Sequence, residues 1–174
     1  MISKFSTLLL GLLLSTLCYA NNPSPFGLEI GKSTIKDLHR HFHINSVEKY
    51  TNFGKIFYIG GLDNIYPTAI NEGIKKVGLA FDQHGTLELI EVIFDKSYFD
   101  KINHFLAQQY AVVEEKPDHE HDHYTLYTSG VCDIFILSTP QEPTLHVVYA
   151  TKAAHEKYQH LVPHVRINTT EPRA

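Results

Sequence analysis

The chain predicts an α+β fold: an antiparallel β-meander sheet with helices packed on one face. Three observations carry this. Lys75 to Phe94 holds two β-rich runs around a short turn. Residues 34–43 and 97–110 place apolar side chains at helical spacing. Each of those stretches is followed by four strand-like runs, and the second set begins 63 positions after the first (97 against 34). Repetition on that scale extends the prediction to two tandem α-β-β-β-β units, 26–95 and 96–151.

The elements follow in order. Met1 to Ala20 has a short basic start at Lys4, a leucine-dominated run from Phe5 to Leu14, and Cys18-Tyr19-Ala20 at its end. That is the pattern of a cleaved secretory signal peptide, so residues 1–20 are set apart from the fold and the mature chain is expected in the periplasm or secreted. The alternatives are a membrane anchor and a lipidated Cys18, and Leu17 is a poor residue before a lipidated cysteine. Thr34 and Asp37 form a capping-box-like pair ahead of Ile35, Leu38 and Phe42, predicting a helix to about His43. Val47–Tyr50 and Lys55–Ile59 read as strands. Gly60 to Gly73 carries two turn-like clusters and is a candidate interaction loop. In the hairpin, Val77, Leu79 and Phe81 alternate with Lys76, Gly78 and Ala80, and Asp82-Gln83-His84-Gly85 supplies the turn.

Ser97 and Asp100 suggest a second capping box, with Ile102, Phe105 and Leu106 on a helix reaching about Tyr110. Ala111–Glu115, His123–Thr128, Val131–Ser138 and Thr144–Ala150 read as strands, and Ala153–His160 as a terminal helix stopped near Pro163. Residues 21–160 make one domain, and 161–174 read as a flexible tail.

Composition narrows the function. With 43% hydrophobic and 20% charged residues the chain is globular rather than disordered. Its net charge is −4; without Lys4, 14 basic residues face 19 acidic ones. An acidic protein gains nothing from releasing phosphate counterions, so nucleic acid is not an expected partner. No second apolar run is long enough to cross a bilayer, so no membrane span is expected after leader cleavage. Cys132 is the single cysteine of the mature chain and sits in the apolar run from Val131 to Leu137. It predicts a buried, inert thiol. Gly27 to Ser33 resembles a phosphate-binding loop but is one residue short between its glycines, which excludes that reading.

Gly31-Lys32-Ser33-Thr34-Ile35-Lys36-Asp37-Leu38, followed by a strand meander, resembles the opening of small bacterial envelope modules. These are the SmpA/OmlA assembly lipoproteins and the β-lactamase-inhibitor-protein-like modules. The likeness is specific near Gly31 and rests on element order over 26–150; the lipobox is missing. It implies a periplasmic binding or scaffolding role and carries no catalytic residue across.

Histidine is the compositional oddity: twelve in the chain, all beyond residue 20. His119, His121 and His123 alternate with Glu120 and Asp122, so on a strand the three imidazoles share a face. They are the candidate ligands for Zn²⁺, Cu²⁺ or Ni²⁺, although their spacing of about 7 Å is wide for one ion. The alternative is a solvated, charged edge or loop. On a helix His39 and His43 are one turn apart and could chelate, but Arg40 and the lack of a nearby carboxylate argue against it. There is no Gly-x-Ser-x-Gly elbow, no His-Glu-x-x-His and no Cys with a partner base. The leading expectation is therefore a non-enzymatic binding protein whose partner is another envelope protein. A transition-metal-binding protein and a hydrolase with an unrecognised site are the alternatives.

Overall fold

The computed structural model describes residues 22–50, 54–60, 71–116, 123–138 and 141–159. The expected leader (residues 1–20), residues 61–70 of the candidate interaction loop, His119, His121 and residues 161–174 lie outside the described residues.

The first helix, α1, spans Ile35–His41. Its capping pair forms: the Asp37 carboxylate accepts from the Thr34 N–H at 2.9 Å and from its hydroxyl at 2.8 Å. Phe42 is extended, with φ −133 and ψ 147, and ends the helix. The chain then runs through β1 (His43–Tyr50) and β2 (Gly54–Gly60). The expected hairpin is β3 (Ile74–Phe81) and β4 (Leu87–Asp95). In its turn Asp82 Oδ1 accepts from the backbone N–H groups of His84 (2.8 Å) and Thr86 (2.9 Å). Gly85 takes φ +79 there, a conformation that favours glycine.

Helix α2 is Phe99–Ala107, shorter than expected, and the Ser97–Asp100 capping box does not form. Ser97 lies in a 3₁₀ turn instead, and its hydroxyl and N–H both bond Asp95 Oδ1, at 2.7 and 3.1 Å. The closer, upstream carboxylate wins because it reaches both groups at once. The chain continues through β5 (Ala111–Lys116), β6 (His123–Ser129), β7 (Cys132–Ser138), β8 (Thr144–Thr151) and α3 (Lys152–Gln159).

All eight strands form one antiparallel sheet in the order β1-β2-β3-β4-β8-β7-β6-β5. Its centre is the β4–β8 pairing, in register from Leu89↔Ala150 to Asp95↔Thr144. The central strands are buried on both faces, hence the near-continuous apolar runs Ile134–Leu137 and Val147–Ala150. One face carries Val77, Leu79, Ile90, Val92, Ile134 and Val147 and packs on Leu38 of α1 and Ile102 and Leu106 of α2. The other carries Tyr58, Leu89, Phe135, Val148 and Ala150 and packs on Ala154 and Tyr158 of α3. The expectation of helices on a single face is thus corrected. The last strand delivers the chain to the opposite side, and the small side chain of Ala154 lets α3 approach the sheet. Each large apolar side chain so buried contributes about 1.5–3 kcal/mol.

The end of α1 also removes the disfavoured His39–His43 chelate. His39 lies in α1 and His43 in β1, so they share no helix face. The His39 ring instead meets Phe57 edge-on at 6.5 Å.

Candidate functional site

The polar groups of the α3 face are gathered under that helix. Three consecutive-turn residues of α3 each reach a strand carboxylate. His155 Nδ1 lies 2.8 Å from Asp133 Oδ2 on β7. Lys157 Nζ donates to Glu88 Oε2 at 2.7 Å, and the Tyr158 hydroxyl donates to Glu91 Oε1 at 2.5 Å, both on β4. The same Glu91 oxygen accepts from His146 Nδ1 of β8 at 2.8 Å. His146 Nε2 faces outward, 3.5 Å from the exposed Glu142. The His155 ring stacks on Phe135 with centroids 4.5 Å apart.

Glu91 is a largely enclosed charge of the group, its side chain 14% exposed. Burial alone would raise its carboxyl; hydrogen bonds from His146 and Tyr158 and the charge of His146 outweigh that and hold it below its ordinary value. Burial likewise disfavours the His146 cation, yet the bond to Glu91 and the Glu91 charge raise its pKa. Both shifts favour the charged forms of the pair, which is sealed by a tyrosine whose own pKa is pushed up by burial and by Glu91. Gly78 makes the enclosure fit: a Cβ there would sit 2.9 Å from Cε1 of Tyr58, whose ring lies across β3.

Beside the Glu88–Lys157 contact, at the end of the sheet, a cleft of about 650 Å³ opens. That is within the range of ligand-sized pockets. Its apolar floor is Ile35, Phe57 and Phe81, the two rings edge-to-face at 5.6 Å. Lys55, Asp82, Gln83, His84, Glu88 and Lys157 form the rim. The rim carboxylates are engaged, Asp82 with turn amides and Glu88 with Lys157. The amide bonds to Asp82 hold its carboxyl below the ordinary range despite some burial.

Of the three candidate metal ligands only His123 is among the described residues, and its ring tilts against Phe99 at 4.9 Å. No group of three or more His, Cys, Asp or Glu able to hold a metal occurs among the described residues. Cys132 is buried, and burial raises its thiol to about 11. No helix among the described residues is long and apolar enough to cross a membrane.

Sequence reasoning missed Glu88, Glu91, His146, His155 and Lys157. A signal was present: two acids three positions apart inside Leu87–Phe94, an otherwise apolar strand, require buried partners. Which partners is decided by the β4–β8 register, which places Val148 opposite Glu91 and His146 one pair further along the same face.

No family model, curated protein or solved structure matches this chain.

Proposed function

We propose that this is a secreted or periplasmic, non-enzymatic binding or scaffolding protein of the bacterial envelope, and that its partner enters the cleft between Phe57, Phe81 and Lys157. One observation carries the reading. The two close His–carboxylate pairs, Glu91–His146 and Asp133–His155, hold strands and α3 together, and neither lines the cleft. Within the cleft the His84 ring Nε2 lies 3.2 Å from the Gln83 amide nitrogen. An apolar floor with a charged rim suits recognition. The leader-like first twenty residues support the address. The strand order, in which β5 to β8 mirror β1 to β4 across the β4–β8 seam, supports descent from two tandem α-β-β-β-β units. Such an order fits the resemblance to envelope modules noted near Gly31.

The test is capture from an envelope extract by mature chain carrying Gln83→Cys, before and after a bulky maleimide is attached at that position. A protein retained by the unblocked chain and lost from the blocked one is expected. Identical retention by both, or none by either, would refute the reading.

A further inference from the structure

Three side chains of α3 bond strand carboxylates: His155 to Asp133, Lys157 to Glu88 and Tyr158 to Glu91. The side chains of Asp133, Glu88 and Glu91 are 17, 9 and 14% exposed, so water compensates little of any charge left unpaired beside them. The apolar hold on the helix is small, from Ala154 and Tyr158. Helix α2, on the opposite face, is held differently. It buries Ile102 and Leu106. Its polar tie to β6 is neutral: the Tyr127 hydroxyl donates to the backbone carbonyl of Asn103 at 3.1 Å and to its side-chain oxygen. Acid therefore reaches the ties of α3 and leaves that of α2 intact.

We propose that α3 is an acid-released cover: when Glu88, Glu91 and Asp133 take up protons the helix leaves the sheet, and the strands stay paired. Protonation removes the negative partners of Lys157, His146 and His155 and leaves the cations, and buried cations without partners are costly. No neighbouring group supplies a lasting anion. Glu142, beyond His146, and Asp82, near Lys157, are carboxylates themselves. Lys76 of β3, near Glu91, adds positive charge. Tyr124 and Cys132 beside Asp133, and Tyr58 beside Tyr158, are neutral in acid. Glu91 is held below its ordinary 4.5, so its contribution persists above that pH and is lost as pH falls through the lowered value. A free helix of eight residues is marginal in water, so the released segment does not hold its shape. Release uncovers Phe135, on which the rings of His155 and Tyr158 lie at 4.5 and 5.5 Å, with Leu89, Val148 and Ala150 around it. The proposal is independent of the cleft reading.

The test is backbone amide hydrogen exchange of the mature chain at neutral pH and at about pH 3, each rate divided by the intrinsic rate at that pH. Protection in α3 is expected to fall by about tenfold or more in acid, the size of at least one lost hydrogen bond to a charged group, while β4, β8 and α2 keep theirs. Nile red, an uncharged dye that brightens on apolar surface, should gain fluorescence over the same pH range. The variant Glu88→Gln, Glu91→Gln, Asp133→Asn carries permanently neutral side chains at the three positions. Its α3 should exchange at neutral pH as fast as that of wild type in acid, with no further step on acidification. Lys157→Gln, at the exposed end of the cluster, is the milder variant should the triple one fail to fold. It should lower α3 protection at neutral pH and shrink the loss between the two pH values. Protection of α3 unchanged in acid overturns the proposal, as does equal loss in α3 and the central strands. An acid step of wild-type size in the triple variant, or in Lys157→Gln, assigns the release to other groups and overturns it as well. Release without a gain in Nile red fluorescence refutes the uncovering of the sheet face.

Discussion

At the scale of single residues, Glu91 is the position on which the α3 face depends. It is a charge in a central strand, tolerated because one oxygen accepts from both His146 and Tyr158. Removing one member of a buried pair leaves the other uncompensated. Glu91→Ala is therefore expected to cost about 3 kcal/mol or more in urea unfolding at neutral pH. The pH dependence has a definite direction. The Glu91 carboxyl is lowered from 4.5, so its stabilisation is present above that pH and lost as pH falls through the lowered value. The His146 imidazole is raised from 6.5, so its stabilisation is complete below that pH and lost as pH rises through the raised value. The stability gap between wild type and Glu91→Gln should be widest between pH 4.5 and 6.5 and narrow on both sides, as read by denaturant titration across pH. Gly78→Ala should destabilise by about 1–3 kcal/mol, because its Cβ meets the Tyr58 ring at 2.9 Å.

At the scale of elements, α3 is a helix of eight residues. That length is marginal alone in water, so docking holds it. Tyr158→Phe keeps the ring against Phe135 (5.5 Å) and deletes the hydroxyl that serves Glu91. A cost of about 1.5–3 kcal/mol is expected, as for a hydrogen bond to a charged group. Faster amide exchange should be confined to α3 while β4 and β8 stay protected. Exchange rising equally in the central strands would mean that α3 and the sheet open as one unit. The elements were the legible part of the sequence, and for a local reason. The hairpin shows because alternation and turn chemistry lie within twenty residues of each other, and α1 because Thr34 and Asp37 are three apart. Ser97 misled because its hydroxyl faces two acids, Asp95 and Asp100, and spacing alone does not tell which one it bonds. The His39–His43 pairing failed because Phe42 leaves the helix one residue before the second histidine.

At the scale of the whole molecule, the β4–β8 seam joins the first four strands to the last four, and both apolar clusters run across it. The chain should therefore unfold in one transition, with circular dichroism and tyrosine fluorescence coincident. Two separated transitions would show that the halves fold apart. The cleft belongs to this scale, which is why the sequence hid it. Ile35, Lys55, Phe57, Phe81, Glu88 and Lys157 come from five elements and turns up to 122 positions apart (157 against 35), and only the strand order brings them together. The central claim is that this cleft is where a partner sits. The most direct measurement is the alkylation rate of a thiol placed there by Gln83→Cys, with and without envelope extract. Cys132, buried and with its thiol raised to about 11, will not compete for the reagent. Slower alkylation in the presence of extract than in buffer is the predicted result. A rate unchanged by extract would contradict the account.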